Sequence, residues 1–518
     1  MTFARRWEAA VAASGGRPFL IFEGPDQSVS QWTYREFDEV VTRMAATLAE
    51  AGVTRGSSVH VVLRNCPAFI AIWLACARSG AWLVPVDPTS TARDISRQLD
   101  RVRPAAGICA ASRADVYAAG VKESAAGQLP TIELTETAAD VARAGATPAG
   151  ATPAGATPAA GAVAPTDRLA VMFTSGTTSE PKGVVLTQHN YAHVADTMSA
   201  VVGLRPEHRW LVTLPLFHAN AQYYCIAPAI AVGASVALTS AFSASQWLRQ
   251  ASDLSATHAS LFAAPIRMIL ARRPADAPAV RLEHVWFAQN LGAQHYDEFA
   301  ALAGCRPRQL YGMTETVAIV CADVSEPYRN DTIGPPIEGR PVVLLNPETE
   351  ADPPPGEPGE LVLRGVPGAD IFLEYLDDPA ATGRSLVQRD GVTWFRTGDM
   401  VARVAGGSAD DSGALRFVGR RDDVIKVSGE NVSLTEVEAT LAQAPGVLEC
   451  AVLGRPDPVR DMVPVAYVVP RDRERPPAVS DLAEWSERNL PSAARPRDWH
   501  LIEALPRTSV GKVRRFKL

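Results

Sequence analysis

The chain has 518 residues, 47% hydrophobic and 21% charged, enough apolar mass for about three domain-sized units, so disorder throughout is excluded. Fifty Lys and Arg against 57 Asp and Glu leave a net charge of −7, which excludes a protein that works mainly by gripping nucleic acid phosphates or an anionic membrane surface. Seven widely spaced cysteines (Cys66, Cys76, Cys109, Cys225, Cys305, Cys321 and Cys450) include no C-x-x-C; this speaks against a disulfide framework or a zinc site and fits a reducing cytoplasm.

In chain order, Glu8 follows Arg5 and Arg6 too soon for a signal peptide's apolar core. Thr33 with Glu36 forms a capping box, and Phe37, Val40, Val41, Met44 and Leu48 keep helical spacing behind it. Residues 59–63 read as a strand, 65–78 as a helix stopped by Gly80, and 81–86 as a second strand, a β–α–β unit that implies a parallel sheet covered by helices. GATPA occurs three times across residues 145–159, and its small residues cannot build a core, so 144–164 is expected to be a flexible surface linker. Residues 169–173 form a buried strand. The uncharged stretch 211–248 is broken by Pro215, Pro228 and Gly233 and carries His218, Asn220 and Gln222. That is a buried strand–helix–strand, not a bilayer span, which needs about 20 apolar residues in a row. Residues 259–262 and 285–287 are further buried strands. A Pro- and Gly-rich shift at 331–358 leads into β-like segments such as 360–364, and beyond Arg420 the chain carries its own strand and helix pattern.

The most informative run is Thr174-Ser175-Gly176-Thr177-Thr178-Ser179-Glu180-Pro181-Lys182-Gly183. Small residues let backbone N–H groups approach an anion, hydroxyls donate to it and the lysine adds positive charge; the order is not that of a Walker A loop. It is followed by Leu214-Pro215-Leu216-Phe217-His218, Tyr311-Gly312-Met313-Thr314-Glu315-Thr316, Thr397-Gly398-Asp399, Gly419-Arg420-Arg421-Asp422-Asp423-Val424-Ile425-Lys426 and Pro506-Arg507-Thr508-Ser509-Val510-Gly511-Lys512. In this order and over nearly the whole chain, the set resembles the adenylate-forming enzymes: acyl-CoA synthetases, firefly luciferase and peptide-synthetase adenylation domains. Ser179 stands where most members have Gly and resembles the carnitine/crotonobetaine-CoA ligase branch.

The resemblance implies an α/β fold: a large N-terminal domain (1–419) of two doubly wound, parallel-type sheets plus a small β-barrel (about 331–419), then a small mobile α+β domain (420–518). It implies ATP and Mg2+ as cofactors and coenzyme A as co-substrate. Thr174, Ser175, Gly176, Thr177, Thr178 and Lys182 would wrap the phosphates; Tyr311 and Gly312 would meet adenine, Thr314 the α-phosphate, Glu315 the magnesium and Asp399 the ribose, with Arg420 reaching the ribose or a phosphate. Lys512 would bridge the two reacting anions, a task suited to a compact charge on a long stem. Asp422 would be the pivot about which the small domain swings, bringing Lys426 and Gly429 to the second, thiol-transfer step.

His218 would gate the acyl pocket, with Phe217, Asn220, Tyr223, Gln289, Asn290 and Gly312 around it. The polar members suit a polar acid, whereas Phe217, Tyr223 and Trp286 suit an aromatic ring or simple core filling, so the acid stays open. Acid–CoA ligation is the leading expectation. A diazotase that activates nitrite for an arylamine, a carrier-protein ligase and a nucleotide-binding regulator are the alternatives. No nucleic acid, membrane or protein partner is expected.

Overall fold

The computed structural model describes residues 1–125, 127–142, 163–174, 181–354, 356–404, 413–428, 430–507 and 513–518; the GATPA repeats lie outside them. The chain divides into two compact units: Met1–Ser260 with Gly312–Ile319 and Gly365–Arg384, and Leu261–Tyr311 with Val320–Arg364 and Ser385–Leu518.

In the first unit the expected local signals take their places. Thr33 caps the helix Tyr34–Glu50: its side chain accepts from Glu36 N while the Glu36 carboxylate accepts from Thr33 N. That helix buries Phe37, Val40, Val41, Met44 and Leu48. The next helix is Pro67–Ser79, two residues later than the spacing suggests. Pro67 can open a helix because its missing N–H would have no partner there, and Asn65 is used elsewhere. Gly80 ends it at φ 73°, a left-handed conformation that glycine adopts without cost from a Cβ.

Ser58–Val62 and Trp82–Pro85 pair in parallel around that helix. They belong to a seven-stranded sheet running Glu374–Tyr375, Lys182–Thr187, Arg168–Thr174, Trp82–Pro85, Ser58–Val62, Ala106–Ala110, Thr131–Leu134. Neighbours run parallel from Arg168–Thr174 to Thr131–Leu134, and the strand Lys182–Thr187 and the short strand 374–375 are antiparallel additions at one edge. A second layer pairs His258–Phe262, Arg209–Val212, Ser235–Thr239 and Pro18–Glu23 in parallel, with Val29–Thr33 antiparallel at the end. Buried Val, Ile, Leu and aromatic side chains fill both sheets, as sheets covered on both faces require.

In the second unit His284–Ala288 and Arg308–Tyr311 are parallel neighbours. The β-rich part is an antiparallel sheet in which the long strand Val392–Arg403 pairs Gly359–Arg364 along one edge, and Leu386–Arg389 then Leu415–Arg420 along the other. The C-terminal portion is an α+β layer. The antiparallel pair Val447–Asp457 and Asp461–Pro470 supports helices Leu434–Leu441 and Val479–Asn489, around a core of Val427, Val437, Leu441, Val452, Val468 and Leu482. No described helix is long and apolar enough to cross a membrane.

Candidate active site

The first unit holds the phosphate-loop hairpin. Thr174 and Lys182 are paired at its base, with Thr174 Oγ1 3.5 Å from Lys182 O; Ser175, Gly176, Thr177 and Thr178 lie outside the described residues. The Lys182 ammonium lies 4.9 Å from the ring centroid of Tyr375. The Tyr375 hydroxyl in turn donates to Glu315 Oε1 at 3.0 Å. Glu315 is 5% exposed, and its backbone oxygen accepts from Phe372 N at 2.9 Å.

The turn Thr314–Thr316 that presents Glu315 is held by Met313 N donating to Thr316 Oγ1. It ends at Val317 with φ 65° and ψ −79°, a strained conformation for a β-branched residue, and such strain collects at functional sites. Gly312 is required by close approach: a Cβ there would sit 2.8 Å from the Tyr224 hydroxyl and 3.2 Å from Ile319 Cα. Thr314 is buried beside Glu315.

Among the described residues, no group of three or more His, Cys, Asp and Glu side chains gathers as a metal cage. Mg2+ needs none when it is held by one carboxylate, phosphate oxygens and water. Glu315, a buried hard oxygen donor with a fixed backbone, fits that use.

The histidine segment is also well built. The Asn65 side chain donates to Leu214 O and accepts from Leu216 N. Gln222 donates to Leu216 O and accepts from the Tyr191 hydroxyl, each at 2.7 Å. Phe217 and His218 are partly buried. They lead into Asn220–Ile226, wound as a π-helix, a rare form frequent at functional sites.

In that turn Asn220 is 3% exposed and Tyr223 0%. The Asn220 Oδ1 and Tyr223 hydroxyl atoms have no hydrogen-bond partner among the described residues, nor does Thr213 Oγ1 at the end of the preceding strand. Burial holds the Tyr223 phenol well above its ordinary pKa, so it is a neutral donor and acceptor.

The second unit brings Tyr311, Asp399 and Arg420 together. Asp399 and Arg420 are register partners on adjacent strands. Arg420 Nε lies 2.7 Å from Asp399 Oδ1, and the Tyr311 hydroxyl donates to Asp399 Oδ2 at 2.7 Å. Burial first, and the Asp399 charge second, hold the Tyr311 phenol protonated. The Tyr311 ring lies 6.1 Å from that of Phe417, a neighbour no motif announced.

Gln289 is exposed in a left-handed conformation (φ 75°), its carbonyl accepting from Gln309 Nε2; Asn290 is partly exposed. Lys426 is exposed and paired with Glu348 at 3.0 Å. Lys512, Gly429 and the Asp422 side chain lie outside the described residues. The chain on either side of Lys512 is anchored. Arg507 bridges to Val513 and pairs with Glu449, and Arg515 pairs with Asp423 at 2.6 Å and Glu438 at 2.8 Å. All seven cysteines are free, and burial pushes Cys109 and Cys305 up to about 11, so neither is a thiolate at neutral pH.

The sequence profile described as AMP-binding enzyme matches residues 7–376. The chain belongs to the AMP-binding enzyme family. The profile for the AMP-binding enzyme C-terminal domain matches residues 436–512. Across 519 aligned residues this AMP-binding enzyme is 31% identical to a crotonobetaine/carnitine–CoA ligase of Escherichia coli O139:H28, covering 99% of this chain and 98% of that one. It is 30% identical, with the same coverage, to the protein of that name from Shigella flexneri.

Among solved structures, an anthranilate CoA ligase in complex with anthranoyl-AMP superposes with a TM-score of 0.85 at 22% identity, covering 100% of this chain and 96% of that one. A benzoate CoA ligase from Burkholderia xenovorans LB400 gives 0.85 at 23% identity, covering 100% and 99%. The fold is that of these ligases, and the chain is an AMP-forming ligase of the adenylate-forming superfamily.

Proposed function

We propose that this AMP-binding enzyme joins a small polar carboxylic acid to coenzyme A in two steps. A carboxylate oxygen attacks the α-phosphorus of ATP, the bond to pyrophosphate breaks, and an acyl-AMP forms. The CoA sulfur then attacks the acyl carbon, AMP leaves and the thiol proton passes to solvent.

In the first unit, Thr174 and Lys182 with the loop between them meet the phosphates and Thr314 the α-phosphate, and Glu315 would hold a magnesium ion, which would supply positive charge beside the phosphates. In the second, Tyr311 meets adenine, and Asp399 with Arg420 the ribose. Lys512 supplies the cation between two mutually repelling anions, an electrostatic contribution that often dominates catalysis. Residues 1–419 form the nucleotide- and acyl-binding domain. Residues 420–518 turn about Asp422, and Lys426 and Gly429 serve the second step.

The observation that carries the polar-acid reading is the pair of orphaned atoms on Asn220 and Tyr223. A buried polar atom without a partner is costly unless a ligand completes it, and Phe217 and His218, which lead into the same turn, are the side chains proposed to flank such a ligand. No observation favours nitrite and an arylamine, so the acid–CoA reading stands alone.

The test is pyrophosphate release with ATP, Mg2+ and a panel of acids, followed by CoA and mass detection of the thioester. Release that depends on an acid bearing a hydroxyl or amino group, with a thioester on adding CoA, is the expected result. Release independent of any acid, or an acyl-AMP that CoA does not consume, would overturn the reading.

A further inference from the structure

We infer that Tyr375 is a positioning residue that sets the phosphate-binding lysine and the metal-binding carboxylate at a fixed separation. The inference rests on the roles proposed for Lys182 and Glu315. It assigns a function to a residue that no motif marks, 193 positions from one partner and 60 from the other.

Three features of the fold carry it. The strand Glu374–Tyr375 pairs antiparallel with Lys182–Thr187, in a register that sets Tyr375 opposite Val184. Residues two apart on a strand share a face, and directly opposed residues point to the same side. Tyr375 therefore lies diagonally beside Lys182, and its ring face takes the ammonium at 4.9 Å.

The opposite end of the same side chain donates to Glu315 Oε1 at 3.0 Å, while Phe372 N, three residues earlier, grips the Glu315 backbone. Tyr375 is 5% exposed, and its ring also packs at 4.7 Å from that of Phe372, so its rotamer is locked. One rigid phenol thus holds a cation on its face and an anion at its hydroxyl. Lys182 and Glu315 are opposite charges that gain by collapsing onto one another. A rigid spacer keeps both available, the ammonium for phosphate oxygens and the carboxylate for a metal.

The two functions of the ring can be separated. Tyr375→Phe keeps the face for Lys182 and removes the hydroxyl from Glu315; Tyr375→Leu removes both. Calorimetric titration of the full chain with ATP, once with Mg2+ and once with EDTA, reads each function without turnover. Tyr375→Phe is expected to weaken binding in the Mg2+ arm by roughly tenfold, the scale of a hydrogen bond to a charged group, and to leave the EDTA arm unchanged. Tyr375→Leu is expected to weaken both arms.

A Phe variant that binds ATP with Mg2+ as the wild type does would overturn the inference. So would equal weakening in both arms with a lowered Tm, the mark of a merely structural role. A wild type whose ATP binding does not respond to Mg2+ would instead remove the reading of Glu315 on which the inference stands, and the inference with it. Because the wild-type titrations are read first, the two failures are distinguishable.

Discussion

At Asp399 each carboxylate oxygen already has a close partner, the Arg420 guanidinium on one and the Tyr311 hydroxyl on the other. At Asn220 and Tyr223, in the π-wound turn of the first unit, the side-chain oxygens are equally buried and have none among the described residues. The first arrangement is charge-paired within the protein before any ligand arrives and suits a ligand that never changes, such as a nucleotide. The second is unfavourable until something fills it. A site of that kind is where a family keeps one chemistry and varies its acid. The two regions should therefore respond oppositely to mutation: in the first, stability and function fall together; in the second, function falls while stability rises.

The largest effect sets the scale for both. Lys512→Ala should slow adenylation on the order of 100- to 1,000-fold, as for a lost transition-state donor, with Tm unchanged; pyrophosphate release at the wild-type rate would remove Lys512 from the chemistry. Next, Asp399→Asn leaves Arg420 without its counter-charge. It should raise KM for ATP by about tenfold or more, the scale of a charged hydrogen bond, and lower the urea midpoint. A variant with an unchanged midpoint would mean that the cluster is not the settled unit described.

Asn220→Leu keeps the branched outline of four side-chain heavy atoms, with bulkier methyls, and deletes an orphan. It should raise stability by about 1 kcal/mol, because a buried polar atom without a partner is destabilising, while kcat/KM for the polar acid falls about tenfold. A fall in both would erase the contrast between the regions. The smallest effect is the control. Thr33→Ala, at a cap remote from both regions, should cost about 1 kcal/mol of stability and leave every kinetic constant in place; altered kinetics would show that stability alone moves them.

What could be read from the sequence was what neighbours in the chain decide. The Thr33–Glu36 cap, the stop at Gly80 and the strand that leads into Thr174 are local events, carried by residue types at short spacing. Tyr311-Gly312-Met313-Thr314-Glu315 was visible as a motif, and its turn is where the structure places strained Val317. Tyr375 could not be seen. Its meaning comes from pairing with Val184 and from a hydroxyl that reaches Glu315, and nothing in Leu373-Glu374-Tyr375-Leu376 announces either.

The antiparallel edges of the seven-stranded sheet escaped for the same reason, since a β–α–β rhythm reports only on strands joined by helices. The π winding of Asn220–Ile226 escaped because its apolar spacing fits an α-helix as well. Residue type alone points to Asn220 and Tyr223; that their side-chain oxygens lack partners among the described residues is a property of packing.

The most direct measurement of the central claim is ATP–pyrophosphate exchange by the wild-type enzyme with matched pairs of acids. The members of each pair share a carbon frame and differ by a hydroxyl or amino group in place of a methyl. The account predicts kcat/KM higher by about tenfold or more for the polar member, because a site built to hydrogen-bond its ligand rejects the analogue that leaves buried groups unpaired. Equal exchange with both members, or faster exchange with the methyl analogue, would contradict it.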